Sequence, residues 1–250
     1  MTLPAETLAR LVVLEQIGEL HVTLKPMGVW RRRRDQEELD RSIRAELAAG
    51  GAFDERGRLD AELAASLAVL TRPAIECYGW IDRGDRTVGV LAGAIGREAV
   101  LAVRDGETVQ LSQIRPESLA EALVGQTADI RPGKGDTVAF LQSEALASVG
   151  GRRETAAGVG TVPPSREIRL AQRIAELPTT GGGELSVAVR DGLGRRRVSA
   201  QALRYADTAN GRWVNLMTPL PGGDNRILVA PASRQDLLAR LGEMRQGLSR

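Results

Sequence analysis

The chain holds few side chains that can act as an activated nucleophile or a general base. Its 250 residues include a single histidine, His21, and a single cysteine, Cys77. A hydrolase or transferase needs a base beside its nucleophile, so histidine-dependent catalysis would rest on His21 alone. Cys77 alternates with Ile75 and Ile81, a spacing that favours a small core residue over a reactive thiol.

Metal and nucleotide sites find little support in these residue types. One Cys and one His are too few for a Cys/His metal site, and no acidic cluster matches a calcium loop. Lys134 in Gly133-Lys134-Gly135 lacks the Ser or Thr that follows the lysine of a Walker A loop. The glycine stretches 181–183 and 192–194 lie among predicted strands, with no helix N-terminus to receive a phosphate. We therefore expect no cofactor, no metal and no enzyme activity, with a hydrolase using two facing carboxylates as the enzyme alternative.

The sharpest electrostatic feature is the run Arg31, Arg32, Arg33 and Arg34, which directly follows Trp30. A basic run beside an aromatic residue is typical of a site for nucleic acid or for an acidic partner. The other interpretation is the solvated start of a helix, because carboxylates follow at i+4 spacings in Asp35, Glu37, Glu38 and Asp40. We favour the second interpretation, expect no nucleic acid as a partner, and keep the first as the alternative function.

Composition and charge describe an ordinary globular protein. Hydrophobic residues make up 42% and charged residues 26% of the sequence, and the formal net charge is only +2. No stretch approaches the roughly 18 apolar residues of a membrane span, and residues 1–6 lack the basic start of a signal peptide. A lone cysteine fits a reducing compartment, so we expect a cytoplasmic protein.

Apolar spacing predicts several helices and one early strand. A first helix is expected to end near Gly18, a strand-like segment covers residues 21–24, and Ser165 is a predicted N-cap. The apolar helix faces are Leu39/Ile43/Leu47, Leu63/Leu67/Leu70, Ile168/Ala171/Ile174 and Leu237/Leu238/Leu241.

The organisation looks duplicated. Residues 75–124 and 184–246 each read as four short strands followed by a proline and a helix, and one strand of the second block is expected over 198–205. The predicted hairpin turns are Asp105-Gly106, Asp191-Gly192 and Asn210-Gly211, the dipeptides of type I′ turns, in which both central residues need positive φ. We predict an α+β fold with two quasi-symmetric halves, each a mainly antiparallel sheet with flanking helices. The halves cover about 1–135 and 136–250 of a single domain, with their boundary near the loop at 150–164.

The order of these motifs resembles the EspG family of ESX (type VII) secretion in actinobacteria. A helix ends in glycine, a Leu-Asp pair starts the next helix, and Arg72-Pro73 leads into the sheet. Ile114-Arg115-Pro116 then leads into another helix. No one motif is specific, and the resemblance lies in their succession over nearly the whole chain. The matching segments are 45–51, 57–63, 67–73, 88–106, 114–116, 119–123, 229–232 and 237–241.

The resemblance implies a cytosolic chaperone that binds secretion substrates before export. Its partner would be a helical substrate of the PE/PPE or WXG type, and the chaperone would cover an exposed apolar tip that otherwise self-associates. No family motif places the contact residues, and homodimer formation stays open. From the residues themselves we predict a partner site on the second set of strands, with Tyr205 and Trp213 as anchors. Arg204, Arg212 and Asn215 would form its polar rim; Tyr205 and Trp213 as core residues remain the alternative.

Overall fold

The computed structural model describes residues 1–149, 153–155, 158–160 and 163–248 of the chain. Their helices are α1 (Ala5–Leu14), α2 (Arg33–Ala49), α3 (Ala61–Thr71), α4 (Leu119–Val124), α5 (Gln142–Val149), α6 (Arg166–Ala175) and α7 (Arg234–Leu248). Their strands are β1 (Thr2–Pro4), β2 (Ile75–Asp82), β3 (Thr87–Ile95), β4 (Glu98–Asp105), β5 (Thr108–Gln113), β6 (Val138–Leu141), β7 (Arg153–Thr155), β8 (Gly158–Gly160), β9 (Thr179–Arg190), β10 (Arg196–Val198), β11 (Leu203–Thr208), β12 (Gly211–Pro219) and β13 (Asn225–Pro231). Short 3-10 turns cover Val22–Leu24 and Pro116–Ser118.

One long antiparallel sheet organises the molecule. Its strand order is β1-β5-β4-β3-β2-β9-β11-β12-β13-β6, and β10 adds to the edge of β9 that β11 also uses. The central pair, β2 with β9, joins the two predicted sets of strands. Short strands close both ends of the sheet, which limits the unpaired edge offered to other chains. The α+β expectation is confirmed.

The order of strands is symmetric about the β2–β9 pair, since each side has a four-strand meander and one short outer strand. Structural equivalence of the halves, their limits near 135 and the single-domain assignment stay predictions. Part of the expected boundary loop, at 150–152, 156–157 and 161–162, lies outside the described residues, and β7 with β8 forms a small ribbon between them.

Two helical layers bury the two faces of the sheet. On one face, α1 and α3 pack on the first meander through residues such as Leu8, Leu67 and Leu91, and α2 packs against α1 in the same core. On the opposite face, α4 and α7 pack over the middle of the sheet, where Leu123 and Leu237 are fully buried. Each predicted helix occurs, with the first ending earlier than Gly18 and the third starting from an Asp60 cap. Ser165 caps α6 by accepting the backbone N–H of Ile168.

Two predictions about extended segments are wrong. Residues 21–24 form a 3-10 turn rather than a strand, because the His21 ring accepts the N–H of Thr23 and closes the turn locally. The segment 198–205 was expected as one strand, but residues 199–202 leave the sheet between β10 and β11. Both of these strands pair with the same edge of β9, so the interruption is a local excursion rather than a change of partner.

The predicted hairpins occur, but their turns are not of type I′. Asp105, Asp191 and Asn210 do not have positive φ, so none of the three predicted turns has the two adjacent positive values of type I′. Gly106 and Gly211 alone take positive φ at their turns. At 191–195 the side chain of Asp191 accepts the N–H groups of Leu193 and Arg195, and Gly194, not Gly192, is left-handed.

A buried ion pair ties the second meander to the segment that follows α4. The Arg212 side chain is fully buried, and its Nε and Nη2 donate to the two oxygens of Asp207 at 2.6 and 2.9 Å. Its guanidinium also donates to Ala128 O at 2.8 Å and to Thr127 Oγ1, and lies 4.8 Å from the centre of the Tyr205 ring. Arg212 therefore holds residues 127–128 against β11 and β12.

We expect Asp207→Asn to lower the free energy of unfolding by about 3–5 kcal/mol, because it leaves the Arg212 charge buried without its counter-ion. Urea unfolding at neutral pH measures this loss. Arg204→Gln is the matched control on β11, the strand of Asp207, since it breaks an exposed pair with Glu184 of β9 and should change the free energy by only about 0.5 kcal/mol. Equal effects of the two variants would contradict the assigned role of the buried pair.

Candidate functional site

The two residues singled out for chemistry lie on opposite faces of the sheet. Cys77 is a core residue of β2, as predicted, and burial raises the pKa of its thiol to about 12. His21 is also buried, beside Glu76 of β2. Among the described residues no three His, Cys, Asp or Glu side chains gather into a metal-binding group.

His21 and Glu76 belong to a compact buried cluster. The His21 Nε2 atom lies 3.5 Å from Glu76 Oε2, while its Nδ1 faces Thr23 Oγ1 at 2.8 Å. Glu76 Oε1 accepts a hydrogen bond from Arg196 Nε, and the Arg196 guanidinium stacks over Tyr78 at 5.1 Å. The His21 ring meets Tyr78 edge-on. The cluster thus fastens the turn at 21–24 to β2 and β10.

Protonation states in this cluster follow from burial. Burial, with the nearby charges of Arg196 and Lys25, lowers the pKa of His21 to about 4, so the ring is neutral at pH 7. Burial raises the pKa of Glu76, against the opposing effect of the Arg196 and Arg190 charges. This arrangement supports a structural polar cluster, because both side chains are enclosed and face each other.

The open part of the sheet is a cross-strand row formed by Trp80, Glu184, Arg204, Asn215 and Val229. These residues lie directly opposite one another on β2, β9, β11, β12 and β13, so their side chains share one face. Trp80 keeps 39% of its surface exposed, and the side chain of Arg204 keeps 65%. Arg204 Nε donates to Glu184 Oε2 at 2.8 Å. The row presents apolar, charged and amide groups together.

A groove under α6 continues this row. Its cavity of about 280 Å³ lies between Ala171, Ile174 and Ala175 of α6 and the strands β11 to β13. The strand residues that line it include Arg204, Ala206, Trp213, Asn215 and Val229. The helix itself is thinly anchored, because only Ile168 among its residues is buried. We call this space the α6 groove.

The structure separates the five predicted partner-site residues into two sets. Arg204 and Asn215 are exposed, lie opposite each other and border the α6 groove. Trp213 is buried, and its ring packs against Gly133, where any Cβ would approach within 2.2 Å. Tyr205 is buried in the core with α4 and α7. The expected rim position of Arg212 is wrong, because its charge is neutralised inside the protein by Asp207.

Sequence reasoning missed the contribution of β2 and β9 to this surface. Trp80 and Glu184 belong to the row only because β2 pairs with β9, a contact between segments more than 100 residues apart. The alternation of Ile75, Cys77 and Ile81 was the available signal, since it leaves Trp80 on the opposite face. The stripe Ile168, Ala171 and Ile174 was recognised as a helix face, without its partner strands.

The arginine run is divided by internal ion pairs. Arg31 forms a two-pronged pair with Glu6 at the start of α1, and Arg33 pairs with Glu37 at 2.9 Å. The helix α2 begins at Arg33, so the run lies at a helix start, as the favoured interpretation predicts. Asp40, expected to compensate the run, pairs with Arg10 instead.

The protein thus has an α+β fold. It consists of one long antiparallel sheet with helices on both faces, and the cross-strand row lies open at the centre of the sheet. The EspG family model matches residues 4–243, and the chain belongs to the EspG family. The resemblance inferred from motif order is confirmed. No curated protein matches the chain in sequence.

The fold is also that of a solved structure. It is similar to EspG5, the chaperone of the type VII secretion system of Mycobacterium tuberculosis, whose structure was determined in complex with a PE25–PPE41 dimer. The similarity has a TM-score of 0.67 at 15% sequence identity and covers 97% of this chain and 94% of that chain. Among the described residues no helix is long and apolar enough to cross a membrane.

We expect His21→Gln to flatten the pH dependence of stability below pH 6.5. The folded-state pKa of His21 lies below the ordinary value of 6.5, so its contribution is complete above pH 6.5 and is lost as the pH falls toward 4. Between pH 7 and pH 5 the native chain should lose about 2 kcal/mol through this residue. Glu76, whose pKa is raised, acts in the opposite direction and is present in both proteins. Urea unfolding at the two pH values measures the slope, and identical slopes would refute the assignment.

Proposed function

We propose that the protein is a cytosolic chaperone of type VII secretion that binds a helical PE/PPE-type substrate before export. The observation that carries the proposal is the match of the EspG family model to residues 4–243. The likeness to EspG5, solved with a bound PE25–PPE41 dimer, supports it. The proposal includes substrates of the WXG type as alternatives to the PE/PPE type. It also includes that the protein has no enzymatic activity.

We place the substrate contact at the cross-strand row and the α6 groove. The row is an open strip in the middle of a sheet whose opposite face is closed by α4 and α7. An apolar helical tip would pack against Trp80, Val229 and the apolar side of α6, while Arg204 and Asn215 bond its polar groups. Trp213 forms the floor of the groove, and Tyr205 and Arg212 hold β11 and β12 from the opposite face. A helical tip in a groove is a common mode of recognition.

Nucleic-acid binding through Arg31 to Arg34 is the rival function. The ion pairs of Arg31 with Glu6 and of Arg33 with Glu37 lessen the charge that this run offers to phosphates. A site that neutralises phosphates loses affinity steeply as salt rises, whereas an apolar contact does not. Salt dependence therefore separates the two functions.

We expect a purified PE–PPE heterodimer from the same genome to form a stable complex with the protein in size-exclusion chromatography and calorimetry. The complex should persist from about 0.05 to 0.5 M salt, because apolar burial carries it. Absence of a complex with every such heterodimer of that genome would contradict the proposed function. Binding to a single-stranded oligonucleotide that disappears with salt would support the rival.

We expect Ala175→Arg to weaken substrate binding by about tenfold or more, because it places a long charged side chain in the α6 groove. Arginine is a good helix former, so the melting temperature should change little. Gln172→Arg is the matched control on the same helix: it adds the same charge at an exposed residue outside the lining of the groove. Equal affinities of the two variants would remove the α6 groove from the proposal and leave the chaperone function standing.

The row itself is tested by the double substitution Arg204→Ala with Asn215→Ala. Both side chains are exposed, so we expect stability within about 1 kcal/mol of the native value and a loss of affinity of about tenfold. Arg240→Ala on α7, which removes an exposed pair with Glu243 on the other side of the sheet, serves as the control. Full substrate capture by the double variant would exclude these two residues as contacts.

A further inference from the structure

The segment between the 3-10 turn and α2 exposes an unusual set of apolar side chains. Met27, Val29 and Trp30 keep 78%, 62% and 85% of their surfaces exposed, and Val22 nearby keeps 53%. Large apolar side chains that stand exposed next to one another in sequence point to an interaction surface. No residue of this segment belongs to the cross-strand row or lines the α6 groove.

The segment is fastened at both ends, so its exposure does not come from a loose connection. On one side the Arg104 guanidinium of β4 donates to Lys25 O. On the other side Arg31 Nη2 donates to Glu6 Oε2 at 2.8 Å, with a second bond between the same two side chains. Met27, Val29 and Trp30 are therefore exposed on a segment held at two fixed points.

Two arginines without a partner among the described residues, Arg32 and Arg34, come directly after these apolar residues in the sequence. Within the described part of the chain, neither Arg32 nor Arg34 forms a side-chain hydrogen bond or an ion pair, whereas Arg31 and Arg33 are both paired. Glu38 lies one helical turn after Arg34 without pairing to it, and Asp35 is exposed on α2. Met27, Val29 and Trp30 thus lie beside two free guanidinium groups, a combination that suits an anionic surface with an apolar interior.

We propose that residues 27–34 form a peripheral docking segment for an anionic lipid surface. Met27, Val29 and Trp30 enter the boundary between headgroups and acyl chains, where tryptophan is favoured, and Arg32 and Arg34 meet the lipid phosphates. Of the other charged groups nearby, Lys25 is paired with Glu19 and Arg33 with Glu37, so these two pairs add no net charge to the segment. This proposal stands independently of the substrate site.

The shape and composition of the segment favour lipid over the other anionic partners. The three side chains are largely exposed, and fluid acyl chains accommodate exposed apolar groups without a preformed pocket. A nucleic acid would stack on Trp30 and bond the arginines, but it would leave Met27 and Val29 in water. Burial of these two aliphatic side chains is what a bilayer interface adds.

The test uses the full-length protein and vesicles of phosphatidylcholine with about 30% phosphatidylglycerol, compared with pure phosphatidylcholine. We expect sedimentation with the anionic vesicles and a blue shift of tryptophan emission, because Trp30 is far more exposed than Trp80 or Trp213. Trp30→Ala should abolish the shift and weaken partitioning about tenfold or more. Arg32→Gln with Arg34→Gln should weaken it roughly 25-fold, at about fivefold for each arginine.

Leu193→Ala is the matched control, because Leu193 is an apolar residue 79% exposed on the 191–195 turn, outside the segment, and the partitioning of this variant should stay unchanged. The proposal is overturned when the protein fails to sediment with anionic vesicles, or when Trp30→Ala and Leu193→Ala partition equally. Tighter binding to a single-stranded oligonucleotide than to the vesicles, with quenching of Trp30, would also overturn it and assign the segment to nucleic acid.

Discussion

The pairing of β2 with β9 is the contact on which the rest of the structure depends. It joins eight residues of each strand, from Ile75 opposite Val189 to Asp82 opposite Gly182. Without it, each meander would expose a long edge strand with apolar side chains on both faces. Such an edge promotes aggregation, because its unpaired backbone groups can pair with another chain. The approach is close, since a Cβ on Gly79 would lie 2.1 Å from Glu184 O. Glycine at this position lets the two meanders form one sheet.

That central pairing also decides where the sheet stays open. On one face α4 and α7 contact each other and cover the middle of the sheet. On the other face α1, α2 and α3 cover the first meander, and α6 lies over the far strands. On this second face, Trp80, Glu184 and Arg204 lie between the group α1–α3 and the helix α6. The exposed strip is thus a consequence of how helices are divided between the two meanders, and its polar and apolar groups come from both of them.

The sequence was a good guide to local structure and a poor guide to contacts between distant segments. Strand alternation predicted both meanders because a half-buried sheet imposes a period of two. Arg212 was misplaced because arginine is seldom buried. The Asn210-Gly211 turn places Asp207 opposite Arg212. The predicted hairpin therefore already indicated that these two residues could form an ion pair. Its burial, however, comes from Thr127 and Ala128, more than 80 residues earlier in the chain, and no local pattern predicts that contact.

The packing of α6 follows from the same distribution of helices over the sheet. Its residues Ala171, Ile174 and Ala175 line a groove that they do not fill, whereas Leu237 and Leu241 of α7 are buried completely. A helix that buries one side chain contributes little hydrophobic stabilisation, so the part of the sheet under α6 is less firmly packed than the rest. Binding surfaces are drawn from such regions, because an unfilled apolar groove gains more from a partner than a filled core does. The buried Asp207–Arg212 pair lies on the opposite face of the same two strands and fixes their positions. The loose packing under α6 is therefore compatible with a rigid pair of strands, β11 and β12, at the bottom of the α6 groove.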